Sequence, residues 1–393
     1  MPLFPKFISW KEGVFLYKFT QNKNKLDKVL FGIIVILLCI GMLMVYSSSY
    51  IWSEYKFNDS FYYLKRQLLF AGIGFVGMII ISYFPYYIWK KYAKILLFSC
   101  FILLLFVLIP GIGMIRGGAQ SWIGIGAFSI QPSEFMKLGL IIFLSSILSD
   151  HQKYITSFKK GFFPCLLLIF TAFGLIMLQP DLGTGMVLVL TCMILLFVAG
   201  AKLSHFFGLA GIGIIGFIGL IASAPYRINR ILAFLNPWED PLGHGFQIIQ
   251  SLYAIGPGGL MGLGLGNSLQ KYFYLPEPQT DFIFSIIGEE LGLIGGCTTI
   301  LLFFLLLWRG IKIAIEAPDL FSRLLAIGIA SMLALQAMIN ISVVIGLIPV
   351  TGITLPFLSY GGSSLTLTLC AAGILLSISR HAKSMEKSTK PII

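Results

Sequence analysis

The chain has 393 residues, 57% of them hydrophobic and only 11% charged. That is far below the roughly 25% charged residues of an ordinary soluble domain, which excludes a soluble globular protein. Its formal net charge of +12 would suit nucleic acid, but the placement of that charge along the chain excludes such a partner.

A helix needs ~20 mostly apolar residues to cross the hydrocarbon core of a bilayer. In chain order, ten stretches approach that length: 29–47, 68–84, 93–110, 131–149, 162–178, 184–200, 205–224, 282–308, 324–348 and 363–379. A transmembrane barrel would instead show alternating segments of ~10 residues. The expected fold is all-α: a polytopic integral membrane protein of about ten transmembrane helices, occupying 29–379. A basic tail (1–28) precedes it and a short tail (380–393) follows. The first tail is polar up to a full-length span, so no cleavable signal peptide is expected.

With the N-terminus in the cytoplasm, 20 of the 28 Lys and Arg fall in inner segments and 7 in outer loops, while Lys137 lies within the fourth span. This asymmetry follows the positive-inside rule and places both termini in the cytoplasm. The basic charge is therefore topological, with some attraction to anionic membrane lipid, and no nucleic-acid partner is expected. The six cysteines all sit in apolar runs without CxxC spacing, which reads as core packing.

Most connections are short. The exception is 225–281, a large extracytoplasmic loop between the seventh and eighth spans. Long structured connections in compact domains are usually functional. Three other outer segments carry Gly or Pro beside polar residues: 110–130, QPDLG (179–183) and IPVTGITLPFLSYGGSS (348–364). Non-helical backbone at membrane depth is tolerated only against protein or a wet cavity, so a cavity is expected at the outer face. GLGLG (262–266) lacks the spacing and context of a phosphate loop and reads as flexible packing.

Few ionisable residues enter the spans. Glu134 and Lys137 are three apart on one helical face. They either steady the helix start as a local ion pair or face a functional cavity. Glu289 and Glu290, in GEELGLIGG, read as buried carboxyls in tight helix packing. Asp281 stands at the edge of the eighth apolar run. It, or Thr280, can cap that helix; alternatively, its proton affinity is raised by the low-dielectric wall and it serves as a general base. The same side of the membrane holds Arg116, Asp181, Arg227, Arg230, Lys271 and Glu277. Cations there suit a phosphorylated ligand. Cavity, base, cations and bilayer together point to chemistry on a phospholipid-like substrate.

The stretch 236–296, with QPSE (131–134), QPDLGTG (179–185) and GLIPVTGITLPFLSYGGSS (346–364), closely resembles the SEDS family (shape, elongation, division and sporulation), from the first span to the last. GNSLQKYFYLPEPQTDFIF (266–284) is more similar to the division and sporulation branches than to the elongation branch. The resemblance implies a peptidoglycan glycosyltransferase. Such an enzyme polymerises lipid II at the outer face of the bacterial plasma membrane, during septal wall synthesis at division. It implies partnership with a class B penicillin-binding protein, a transpeptidase, among divisome membrane proteins. It makes Asp281 the essential acid, acting directly or through a divalent ion (Mg2+ or Mn2+), with Glu134 in support. Lys137, Arg227, Arg230, Lys271 and Arg116 are then the candidate cations for pyrophosphate, with Asp181 and Glu277 also lining the substrate site. A lipid II flippase or a non-catalytic scaffold are the competing classes. The chain departs from the family pattern at Ser121, where Arg commonly precedes Trp122, and at Gln279, where a His often stands two before the acid. A histidine-assisted base is therefore not expected.

Overall fold

The computed structural model describes residues 17–21, 26–116, 119–125, 128–222, 234–243 and 245–387. Each expected span is met by a helix: α1 (Lys28–Phe57), α2 (Tyr62–Tyr83), α3 (Tyr87–Leu108), α4 (Pro132–Asp150), α5 (Phe163–Met177), α6 (Leu182–Val198) and α7 (Leu203–Ala222). A short α8 (Phe246–Ile255) lies in the large loop, before α9 (Ile283–Glu316), α10 (Leu320–Val344) and α11 (Gly362–Arg380). Strand β1 (Tyr17–Gln21) pairs antiparallel with β5 (Lys383–Lys387), which brings the two tails together.

Apolar runs mark bilayer thickness better than helix ends. The first run ends near residue 47, yet α1 continues through SSYIWSEYKF (48–57) for ten more residues. It stops at Asn58, whose left-handed backbone (φ 52°) lets its N–H bond the Glu54 carbonyl, a common helix ending. The segment 110–130 is not merely a helix break. Among the described residues it forms a small antiparallel sheet of β2 (Gly113–Arg116), β3 (Ala119–Ile125) and β4 (Phe128–Ile130). Pairing in a sheet satisfies backbone groups that no helix takes up.

Helices α4, α10 and α11 are largely buried, whereas α2, α3 and α5 expose most of their length. Exposed apolar side chains such as Leu43, Phe98, Leu167 and Phe304 form the lipid-facing exterior expected of a spanning bundle. Helix α10 packs against α4, α6, α9 and α11, so it is the central post on which the polar residues converge.

Helix α9 is broken at Gly292 (φ 65°, ψ −161°). The freed backbone groups are taken up by the glycine-rich segment before it. Leu263 and Gly264 N–H donate to the Glu289 and Glu290 carbonyls at 2.9 and 3.0 Å, and Leu293 and Ile294 N–H donate to Gly259 and Leu260 at 2.9 and 3.2 Å. GLGLG is thus a fitted ladder against a helix break rather than flexible packing. A Cβ at Gly292 would lie 2.3 Å from the Gly262 nitrogen. Only two bare backbones approach this closely.

Candidate active site at the loop-rich end of the bundle

Helix α9 begins at Phe282 without a side-chain cap, so neither Thr280 nor Asp281 caps it. The Thr280 hydroxyl instead donates to the Glu277 carbonyl at 2.8 Å. The backbone of 279–281 is pinned to the segment 351–361. Tyr360 N–H donates to the Gln279 carbonyl at 2.8 Å, and Ser359 Oγ donates to the Thr280 carbonyl at 2.6 Å. Asn340 Nδ2, from α10, donates to the Asp281 carbonyl at 2.7 Å. Gln67, from α2, holds the far side by donating to Ser359 O at 3.0 Å and accepting from Gly361 N–H at 3.3 Å. Two motifs separated by some seventy residues in sequence thereby become one rigid unit.

The Asp281 side chain is partly buried, with Oδ2 facing Gly352 (φ 72°), where a Cβ would sit 3.7 Å away. Burial pushes its carboxyl up to about 6, and the negative charges of Glu277 and Asp181 push the same way. Desolvation disfavours the charged form of any acid, and a like charge adds to it. A carboxylate poised near neutrality is suited to accept a proton.

Asp181 caps α6 by accepting from Thr184 N–H at 3.1 Å. It also accepts from Gln131 Nε2 at 2.9 Å and Ser133 Oγ at 3.2 Å. Burial raises its proton affinity, opposed by the Thr184 hydrogen bonds; Glu134 raises it further and Lys137 lowers it. Glu134 and Lys137 form an ion pair of 2.8 Å and are only 8% and 2% exposed. The pair is more than a local brace. Lys137 Nζ also donates to Gln336 Oε1 at 2.8 Å, Gln336 Nε2 donates to Thr354 O at 3.1 Å, and Ser364 Oγ donates to Glu134 at 3.4 Å. Asp281, Asp181, Glu134 and Lys137 therefore form one electrostatic cluster. Around it, Gln279 Oε1, Thr351 Oγ1, Asn340 Oδ1 and Ser363 Oγ are buried without a hydrogen-bond partner. Such spare buried capacity calls for an explanation, and a polar ligand supplies one.

Two hollows are lined by residues from the segments that carry these groups, though not by Asp281 itself. A cleft of about 320 Å³ opens between Phe246, Gln247, Pro276 and Val350. An apolar groove of about 500 Å³ runs between α2, the small sheet and α11, past Phe70, Ile130, Ser363 and Leu367. A cleft lined by Pro276 and Val350, close in sequence to Asp281 and Gly352, and an apolar groove beside the spans suit a ligand with a head group and a hydrocarbon tail.

The remaining expected residues divide. Glu277 is exposed at a strained turn (φ 45°). Lys271 is not in the cluster. Its Nζ lies 2.8 Å from Glu290 Oε1 with both side chains fully buried, because Glu290 and the Tyr50 ring, 4.9 Å away, offer the ammonium better compensation than an open cleft. Its ammonium is committed to that pair and does not face the cluster around Asp281. Glu289 and Glu290 are both buried, Glu289 accepting from Ser268 Oγ and Leu269 N–H and Glu290 from Ser47 Oγ. Arg116 contributes its backbone to β2, and its side chain lies outside the described parts; Arg227 and Arg230 lie outside the described residues altogether. Ser121 and Gln279 are buried. Among the described residues no group of three His, Cys, Asp or Glu is placed to hold a metal ion. Among the described residues, the carboxylates near Asp281 do not by themselves make an Mg2+ or Mn2+ site.

Sequence reasoning missed Gln336, Asn340, Gly352 and Ser359. The first two had a signal: two amides four apart inside an apolar run share one helical face, and polar groups inside a span usually face a partner or cavity.

The "Cell cycle protein" family of FtsW, RodA and SpoVE matches residues 27–384. Stage V sporulation protein E of Bacillus subtilis (strain 168) is 63% identical over 93% of this chain and 100% of its own length. The probable peptidoglycan glycosyltransferase FtsW of Geobacter sp. (strain M18) is 45% identical over 91% of this chain and 97% of its own. Among solved structures, a chain of a peptidoglycan synthase complex superposes with a TM-score of 0.75 at 30% identity, covering 90% of this chain and 98% of that one. The rod shape determining protein RodA of Thermus thermophilus superposes at 0.66 with 28% identity, over 90% and 97%. The match across nearly the whole chain, on a helical bundle that gathers the family's motifs around Asp281, makes this protein a member of the SEDS family of FtsW, RodA and SpoVE.

Proposed function

We propose that this protein is a peptidoglycan glycosyltransferase that polymerises lipid II at the outer face of the bacterial plasma membrane. The observation that carries this reading is the placement of Asp281. It is a carboxyl pushed up to about 6 by burial, held by three backbone contacts and sharing its electrostatic surroundings with Glu277 and Asp181. The Lys and Arg distribution supports an outward-facing site and cytoplasmic termini.

In the reaction, one lipid II presents its GlcNAc 4-hydroxyl to Asp281. The ionised carboxylate accepts the hydroxyl proton as the oxygen bonds to the anomeric carbon of the MurNAc that ends the growing strand. The bond from that carbon to the phosphate oxygen breaks, and undecaprenyl pyrophosphate leaves with the electron pair. Cations offset its charge; among the described residues Lys137 lies within the cluster, with Arg116, Arg227 and Arg230 as further contributors from the same side. Glu134 holds Lys137 in place. One base on the acceptor side gives inversion, so a close retaining pair of carboxylates is not needed.

The partner in this proposal is a class B penicillin-binding protein, in line with the likeness to a chain of a peptidoglycan synthase complex. Septal wall synthesis at division, within the divisome, is the proposed setting. Sporulation is a second one, favoured by 63% identity to a stage V sporulation protein against 45% to an FtsW. Comparing septation and sporulation after depletion separates the two.

The deciding test is purified protein with its penicillin-binding partner, given labelled lipid II in detergent. Glycan strands are expected from the wild type and not from Asp281→Ala. Absence of strands from the wild type overturns the enzyme in favour of a flippase or scaffold, which lipid translocation in proteoliposomes then separates.

A further inference from the structure

Asn340 sits on α10 and is 1% exposed. Its side-chain nitrogen lies 2.7 Å from the Asp281 carbonyl oxygen and 2.6 Å from the Ile353 carbonyl oxygen. Both neighbours are acceptors, so the group facing them must be the NH2, with one hydrogen to each. Among side chains of this size only a carboxamide offers two hydrogens in one plane. A carboxylate of the same shape offers none.

The two carbonyls belong to different walls of the site. Asp281 carries the acid. Ile353 follows Gly352, the residue its carboxylate faces. On the far side, the 351–353 segment rests on the start of α6, where a Cβ at Gly183 would meet Thr351 O and Ile353 Cγ1 at 2.6 Å. One buried amide therefore fixes the acid against the segment that fixes α6 and its cap, Asp181.

We propose that Asn340 is the positioning residue for Asp281, joining the acid's backbone to the 351–353 segment so that the carboxylate is aimed into the substrate cleft. This rests on the glycosyltransferase reading above. Asn340 touches no reacting atom; it acts through Asp281. Without it, two buried carbonyls lose a donor, the TDF turn loosens and water reaches the carboxylate. The charged groups facing Asp281 are Glu277 on its own loop and Asp181 at the start of α6, with the Glu134–Lys137 pair of α4 beyond Asp181. The Asn340 amide donates to the Asp281 and Ile353 carbonyls and to none of these charged side chains, so their fields persist when Asn340 is replaced.

The experiment uses the full chain with its penicillin-binding partner and labelled lipid II. Asn340→Leu keeps the branched heavy-atom skeleton and removes both hydrogens; Asn340→Asp keeps the shape and removes them at neutral pH. A misplacement of about 1 Å costs up to ~10²-fold in rate. The expected result for Asn340→Leu is kcat lowered ~10- to 100-fold, KM for lipid II within about threefold, and the acid limb of the pH–rate profile moved to lower pH. Asn340→Asp should be impaired at neutral pH as well. The inference is overturned by kcat within twofold of wild type, by an unmoved acid limb, or by both variants failing to form a monodisperse complex, which would make Asn340 a folding residue. A wild type that makes no strands fails the glycosyltransferase reading itself, so the two failures are distinguishable.

Discussion

The Nζ of Lys271 lies 2.8 Å from Oε1 of Glu290, and neither side chain reaches solvent. Ser47 of α1 donates to the same carboxylate at 2.6 and 2.8 Å, and Ser268 N–H approaches it at 3.3 Å. One buried carboxylate therefore ties α1, α9 and the strap leading to Asp281. Removing one partner of a buried pair leaves a stranded charge and costs ~3–5 kcal/mol, whereas replacing both by apolar groups is often close to neutral. Lys271→Met should lower the unfolding temperature in detergent steeply, and Lys271→Met with Glu290→Leu should recover most of the loss. A Lys271→Met protein of wild-type stability that has lost activity would instead return Lys271 to the substrate.

Glycan synthesis should titrate with Asp281. Below pH 6 the acid is protonated and cannot take up a proton; above it, the base is available. Initial rates should therefore rise with pH through about 6 and level off. A flat profile between pH 5 and 7, with the complex intact, would remove Asp281 as the base.

The same shift has a stability consequence. The folded state binds this proton more tightly than the unfolded chain does, so the group's stabilising contribution is complete at low pH and is lost as pH rises towards about 6. Above that, the fold holds a charge it disfavours. Asp281→Asn should be inactive yet more stable by about 1–2 kcal/mol at pH 7.5, allowing for partial exposure. Equal or lower thermal stability of the variant would contradict this.

Lys137 is held by Glu134 and Gln336 at 2.8 Å each, which suits a compact ammonium better than a planar guanidinium. Lys137→Met and Lys137→Arg should each lower strand synthesis ~10²-fold or more, the scale of losing one stabiliser of developing charge. Full activity in Lys137→Arg would show that charge alone matters there.

Gly292→Ala should break the ladder between α9 and the 259–264 segment. The backbone there (φ 65°, ψ −161°) is a region essentially confined to glycine, with ~1–3 kcal/mol of strain for other residues. The added Cβ also meets Gly262 N at 2.3 Å and Leu260 O at 2.6 Å. Loss of thermal stability together with loss of strand synthesis is expected. Unchanged melting would mean the break is not fitted as closely as it stands.

What could be read without coordinates follows from the bilayer. Hydrocarbon demands long apolar helices, so the ten spans, the loop-rich end and the rarity of Glu134, Lys137 and Asp281 were all legible in composition and order. Helix ends were less so, because α1 outlasts its apolar run. The motif of Asp281 was legible, but its anchors were not. Asn340, Ser359, Gln67 and Gln336 come from helices and loops far apart in sequence.

The partner of a cation is likewise invisible in a single chain of letters. Lys271 and Lys137 look alike as basic residues on the active side, and only packing sends one to Glu290 and the other to Glu134. The sequence by itself determined that this chain lives in a membrane, with an acid at the edge of its eighth span. The tertiary structure alone decided which buried polar groups meet. Burial makes each unpaired group costly, and its partner is set by which helices come to lie side by side.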